Sequence, residues 1–336
     1  MVSGLTDGYV VQRLIFPRDF EENMTLLMLN FLPTIIAPKA YKGRAAIKSA
    51  FTKYYENHYE LTGSTLIRAH LACAQKWGFT PNDIANFEIS TLFLATTNSV
   101  PTSFWQLSYI LSSPSLLHQI QTEVESIVKR EKAADGTEEA VMDITLFQSH
   151  CPLLVATFHE TLRLIDAATS VRAVIEPTTL TSSTSSSFSL KSPSVIQLPS
   201  GITHSSPSIW GPDASSFNPG RFLPDAKNKL DKETRRKQKQ GYFPFGGGKH
   251  LCPGRHFAMM EILAFVAGIV VGFEVQGMES VPERAFQKLG TAVRKPVADV
   301  EVGVRRREGW EGVRWRFEGG GGRVDFRALG TDSDDE

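Results

Sequence analysis

Apolar positions fall into helical registers over much of this chain. From 21 to 60, Met24, Leu27, Met28, Phe31 and Leu32 recur at helical spacing until Pro33 and Pro38 break the pattern. A second amphipathic stretch places Ile47, Phe51, Tyr54, Tyr55 and His58 on one side. Residues 82–112 predict one long apolar helix, capped by Asn82 or Asp83. Pro101 sits inside it and has no N–H to offer the Thr97 carbonyl, which predicts a kink across 97–101. Ser113-Pro114 reads as an N-cap with proline at the first helical position. Leu116, Leu117, Ile120, Val124, Ile127 and Val128 give the helix that follows a buried stripe.

Further along, 131–142 reads as a charged, glycine-containing loop, Pro152 to Ile165 as a strong helix and Val171–Ile175 as a short strand. Residues 178–194 are Ser-rich, with eight serines in 181–194, and predict a disordered insert. Residues 227–239 form a polar insert with seven basic residues. A Gly-rich turn at 246–248 precedes another helix over 253–272, and 318–336 predicts an unstructured Gly-rich and acidic tail. The fold class is therefore mainly α with a small β region, without internal repeats.

Composition narrows the function classes. Apolar residues make up 41% of 336, enough for a sizeable core. Lys+Arg and Asp+Glu are both 36, so there is no electrostatic case for a nucleic-acid partner. Cys73, Cys151 and Cys252 form no CxxC pair and no even framework, which predicts a reducing compartment. The N-terminus has no signal-peptide pattern, and the longest apolar stretch, Ile262 to Phe273, is too short to span a bilayer. A soluble or peripheral chain is expected.

The chemistry concentrates in Phe245-Gly-Gly-Gly-Lys-His-Leu-Cys252-Pro-Gly254. Here a cysteine follows a Gly-rich turn and immediately precedes an apolar helix. A helix N-terminus favours a thiolate, and glycine lets backbone approach closely, so the segment suits an anionic sulfur that binds a metal. A phosphate-binding P-loop does not fit. Phe243 stands where the first glycine is needed, and His250 where Ser or Thr should follow Lys249.

The segment resembles the haem-ligand loop of cytochromes P450, F-x-x-G-x-[HR]-x-C-x-G, with Phe245, Gly248, His250, Cys252 and Gly254 at every defined position and Ala258 at a further small one. The resemblance implies haem b with Cys252 as axial ligand, a thiolate that pushes electron density to the iron. It also implies that Phe245 shields the sulfur, that Gly248 and Gly254 leave room for backbone N–H groups, and that His250 pairs with a haem propionate. His159-Glu160-Thr-Leu-Arg163 is not a zinc HExxH motif, because Arg163 cannot ligate; it resembles the ExxR motif of the same family. Phe217-Asn-Pro-Gly-Arg221-Phe222 resembles the downstream Arg-Phe motif, and Trp210-Gly-Pro-Asp-Ala214 is also P450-like. Glu160, Arg163 and Arg221 are then expected to form a buried structural network.

On the helix that crosses the haem in this family, an acid–alcohol pair helps deliver protons to oxygen. Here Thr97–Asn98 or Asn98–Ser99 fills that position without a carboxylate, so Thr97, Asn98 and Ser99 are the candidate catalytic residues. The pattern N-[ST]-x-P-x-x-F-W is similar to the clan of cholesterol 7α-hydroxylase and prostacyclin synthase and to many fungal P450s. By resemblance, Ala168, Thr169, Ser170, Val171, Gly290, Thr291 and Ala292 line the substrate cavity. Phe51, Tyr54 and Tyr55 either roof it or pack a core. The basic insert faces a redox partner or is a solvated loop.

The family match over 1–317 is partial. An N-terminal part, a membrane anchor and a Trp-x-x-x-Arg helix are missing, and Leu198-Pro-Ser-Gly201 runs almost directly into His204. The implied activity is a monooxygenase acting on an apolar small molecule (sterol, lipid or secondary metabolite), with NADPH–cytochrome P450 reductase as partner. The alternatives are an isomerase or dehydratase of an oxygenated lipid, or an inactive truncated fragment. The family implies the endoplasmic reticulum membrane, and the chain without an anchor implies a cytoplasmic or peripheral location.

Overall fold

A computed structural model describes residues 23–182, 186–285 and 292–319. The chain divides into two compact units, 1–97 and 98–336.

The first unit is helical: α1 (Met24–Met28), α2 (Pro33–Ile36), α3 (Pro38–Glu56), α4 (Thr65–Lys76) and α5 (Pro81–Thr97). Ala40 and Ile47 of α3 share a core with Leu27 and with Ile89 of α5. Phe51, Tyr54 and Tyr55 pack against Ala74 and Ile84, so these aromatics fill the core of this unit. Tyr55 donates to Oε1 of buried Glu88 at 3.0 Å, and burial raises the phenol's pKa. The cap of α5 lies upstream of Asn82. The Thr80 N–H donates to Asp83 Oδ2 (3.0 Å) and the Asp83 N–H to Thr80 Oγ1 (3.3 Å), a capping box that puts Pro81 at the first helical position.

The second unit opens with α6 (Ser99–Leu111) and α7 (Pro114–Glu125), followed by β1 (Val128–Lys132), β2 (Glu138–Asp143), α8 (Phe147–His150) and α9 (Pro152–Ile165). Next come β3 (Thr169–Val174), β4 (Thr178–Thr181), β5 (Ser187–Leu190) and β6 (Ser194–Pro199). Four helices follow: α10 (Ser200–His204), α11 (Pro207–Trp210), α12 (Pro224–Lys229) and α13 (Lys232–Gly241). The described chain ends with α14 (Arg255–Gly272), β7 (Phe273–Gln276), β8 (Gly303–Arg306) and β9 (Arg314–Glu318). One core joins Ile110, Ile120, Val124, Phe158, Leu263 and Val266 from α6, α7, α9 and α14. Among the described residues, α14 alone is long and apolar enough to cross a membrane. Half of it is buried, with Met259, Leu263, Val266 and Val270 inside, as befits a core helix.

Two helix starts show how local chemistry sets the frame. Ser113 accepts from the Leu116 N–H with Pro114 behind it, as its spacing predicts. At α9, Cys151 holds the N-cap position without a side-chain hydrogen bond, and Glu123 of α7 does the capping instead. Its carboxylate accepts from Leu153 N–H (2.9 Å) and Leu154 N–H (3.0 Å), although burial raises its pKa. Glu123→Ala strands both donors and is expected to cost about 1–2 kcal/mol in urea unfolding. An unchanged midpoint would contradict this capping role.

The structure corrects three loop expectations. Residues 131–142 lie in the β1–β2 hairpin and its turn rather than in a loop. Ala140 and Met142 are buried, Arg130 meets Glu138 at 3.1 Å, and Gly136 turns at φ +81. β2 also pairs in parallel with β9. The Ser-rich insert is ordered over its described residues. β4 and β5 pair antiparallel with Leu180 opposite Phe188, and β6 pairs with β3; residues 183–185 lie outside the described set. Backbone pairing here needs little burial, and Thr and Phe fit a pleated surface. The basic insert is helical rather than a loop. Asp231 caps α13 by accepting from Glu233 and Thr234 N–H, both at 2.9 Å. Of the expected tail, 318–336, residues 320–336 lie outside the described residues.

Candidate functional site

The loop between α13 and α14 carries Cys252. Gly246 (φ +77) and Gly248 (φ +60) take left-handed conformations that L side chains rarely adopt, and this lets the chain double back. The Phe243 carbonyl accepts from Gly246 N–H, the Gly248 carbonyl from Leu251 N–H and the Phe245 carbonyl from Cys252 N–H, each at 3.0 Å. The last bond ties the cysteine's backbone to the residue that packs onto the core, Phe245. Cys252 is a free, half-buried thiol three residues before α14. Gly248, Lys249 and His250 are exposed. Arg172 of β3 leans onto the loop and donates from Nη2 to the Gly247 carbonyl at 3.3 Å. This donor set fits a haem held by one thiolate. It offers a half-buried cysteine on a tight glycine turn before a helix, with Arg172 and His250 on or against the loop as donors for carboxylates.

Behind the loop, α9 builds the network its motif implies. Glu160 and Arg163 are almost fully buried. Arg163 binds the carboxylate in a fork, Nε to Oε2 at 2.8 Å and Nη2 to Oε1 at 2.7 Å. Its Nη1 donates to the His204 and Ala214 carbonyls, both at 2.6 Å. Glu160 Oε1 also accepts the Asn218 N–H (2.9 Å) and lies 3.4 Å from Arg221 Nε. Arg221 in turn donates to the Trp210 and Asp213 carbonyls. Each charge that burial would penalise therefore has a counter-charge and several hydrogen bonds.

The end of α9 adds a pair that motif reading passed over. His204 is fully buried, and its Nε2 accepts the Phe243 N–H at 3.1 Å, while Nδ1 stands 3.7 Å from Oδ2 of buried Asp166. Burial pushes Asp166 up to about 7 and His204 down to about 3. A raised carboxyl stabilises the fold fully below its unfolded value and loses that contribution as pH climbs through about 7. A depressed imidazole contributes above its unfolded value and loses it as pH falls toward about 3. Relative to wild type, Asp166→Asn should therefore gain stability between pH 4 and 8, on the order of 4 kcal/mol. Chemical denaturation across that range reads the difference, and parallel pH curves for the two proteins would refute it.

The distal candidates lie where α5 ends and α6 begins. The helix breaks at Asn98 (φ −108, ψ −44), so Pro101 falls in the first turn of α6, where it removes no intrahelical bond. The expected kink is thus a restart. Thr97 Oγ1 donates to the Phe93 carbonyl at 2.7 Å, which occupies that hydroxyl. Ser99 hydrogen-bonds Glu261 of α14, a carboxyl raised by burial. Asn98 Oδ1 is buried without a hydrogen-bond partner. Ala168 and the start of β3 (Thr169, Ser170, Val171) run half-buried to exposed, and the Ala292 carbonyl accepts from Ala167 N–H at 2.8 Å. Gly290 and Thr291 lie outside the described residues. An apolar groove of about 510 Å³ lies along α14 between Phe257, Phe265, Trp315 and Phe317, but neither Cys252 nor Asn98 lines it. Of the residues now seen at the loop, Arg172 was hidden in strand alternation, and His204 is a lone histidine among serines with no local signal.

Known proteins resemble this chain. The family model described as Cytochrome P450 matches residues 14–302. A cytochrome P450 monooxygenase of Gibberella zeae is 31% identical over 313 residues, which cover 90% of this chain and 58% of that protein. Cholesterol 7-alpha-monooxygenase of Cricetulus griseus is 28% identical over 225 residues, 65% of this chain and 44% of that protein. A crystal structure of a cytochrome P450 aligns with TM-score 0.57 at 22% identity, covering 82% of this chain and 60% of that one, a likeness of fold. The chain thus spans about half the length of the curated relatives it matches.

Proposed function

Since this chain belongs to the cytochrome P450 family, we propose that its Cys252 loop holds haem b and that the whole protein is a monooxygenase. It would insert one atom of O2 into an apolar small molecule, with electrons from NADPH–cytochrome P450 reductase at the endoplasmic reticulum membrane. The carrying observation is Cys252 itself, a free half-buried sulfur on a two-glycine turn at the start of α14, braced from behind by the Glu160–Arg163–Arg221 network.

When bound, the haem supplies O2 activation and oxygen transfer. The chain's residues supply position and polarity. Cys252 would hold the iron as a thiolate. Phe245 packs on the core, and its carbonyl fixes the Cys252 N–H. Arg172 and His250 would take the carboxylates of the porphyrin. Asn98 has the one unengaged side-chain oxygen of the distal trio and would hold a water or a substrate hydroxyl there, while Thr97 is tied to its own helix. The distal trio itself lacks a carboxylate, but its Ser99 hydroxyl is hydrogen-bonded to the Glu261 carboxyl, which would be the nearest acid in contact with it. The name of the Cricetulus relative supports a sterol-sized apolar substrate.

The test is labelled oxygen. Full-length protein with reductase and a panel of sterols and apolar secondary metabolites should place one atom from ¹⁸O2 in a product, and only with reductase present. Conversion of an oxygenated lipid without reductase, and with no label taken up, would replace this reading with an isomerase or dehydratase.

A further inference from the structure

We propose that His204 is a positioning residue for the Cys252 loop, holding the Phe243 N–H so that the end of helix α9 sets where the cysteine stands. The inference rests on the reading of Cys252 as the ligand. His204 connects the two at both of its ends. Its carbonyl takes Arg163 Nη1 at 2.6 Å, and its ring Nε2 accepts the Phe243 N–H at 3.1 Å. Phe243 lies at the start of the loop, beside Tyr242, whose hydroxyl donates to the His159 carbonyl at 3.2 Å. The Phe243 carbonyl closes the Gly246 turn, and the next carbonyl but one, that of Phe245, fixes the Cys252 N–H.

The ring chemistry admits one tautomer. A backbone N–H only donates, so Nε2 must be unprotonated and Nδ1 must carry the proton. Nδ1 is buried and points toward Asp166 Oδ2, itself buried with no closer partner. Asp166 closes α9, so the same helix end binds the residue's backbone through Arg163 and places a carboxyl 3.7 Å from its Nδ1. The rings of Tyr242 and Phe243 lie 5.5 and 5.4 Å from the imidazole and keep water out. A buried acceptor aimed at one loop amide gives the loop a fixed origin that glycine-rich backbone cannot give itself.

Three variants separate positioning from packing. His204→Leu fills the volume without an acceptor. His204→Gln can bring Oε1 to about where Nε2 stands. His204→Asn is too short to do so. Hydrogen exchange across residues 243–252 in the haem-free chain reads the bond without any cofactor. The Phe243 amide should exchange at least tenfold faster in His204→Leu and His204→Asn and near the wild-type rate in His204→Gln. In the haem-loaded chain, the ratio of thiolate-type to non-thiolate carbon monoxide bands should fall at least threefold in the same two variants and recover in His204→Gln. If the leucine chain does not fold, the glutamine–asparagine pair decides. Equal exchange in those two, or a Phe243 amide unaffected by losing the acceptor, overturns the proposal. A wild-type chain with no thiolate band but with the exchange pattern intact sinks the ligand reading and leaves the positioning contact standing.

Discussion

Glu160→Ala should unfold much of the second unit, losing about 3–5 kcal/mol in denaturant titration. The reason is the fate of Arg163. Its guanidinium is almost fully buried and faces Glu160 through two bonds of 2.7–2.8 Å. With the carboxylate gone, the Arg163 charge keeps only carbonyls to answer it, while the nearby Arg221 retains its Asp213 partner. Domains of this size hold about 5–15 kcal/mol in total, so such a loss takes much of the margin. Arg163→Lys should behave almost as badly, since one ammonium cannot fork onto Glu160 while reaching the carbonyls of His204 and Ala214. A loss under about 1 kcal/mol in Glu160→Ala would show that the network is dispensable.

Cys252→Ser should do the opposite, leaving the fold and removing the ligand. The sulfur is half-buried, and the bonds that shape the loop, from the Phe243, Phe245 and Gly248 carbonyls and the side chains of Arg172 and His204, do not involve it. Unfolding should therefore move by less than about 1 kcal/mol. A serine hydroxyl is not an anion at neutral pH, so haem should be taken up weakly and without thiolate character. A large stability loss in this variant would instead make Cys252 a packing residue.

The contrast between these two sites explains what the sequence made legible. Glu160 and Arg163 sit three apart on one helix, and Phe245 to Gly254 is one short loop, so spacing alone displayed both. The Ser113 cap was readable for the same local reason. Thr80 was missed because Pro81 moves the helix start upstream of Asn82. The β1–β2 hairpin hid behind its charges, because Arg130 and Glu138 are cross-strand partners whose pairing appears only once the chain has turned. The Ser-rich hairpin hid behind composition, since its order comes from backbone bonds that no side chain announces. His204 and Phe243 lie 39 residues apart, and nothing local links them.

The central claim is that Cys252 binds haem as a thiolate. The direct measurement is a reduced carbon monoxide difference spectrum of the haem-reconstituted chain, with Cys252→Ala alongside. A thiolate-type Soret band that vanishes in Cys252→Ala is the predicted result. Haem taken up with the same band in both proteins, or no haem taken up by the wild-type chain, would contradict it.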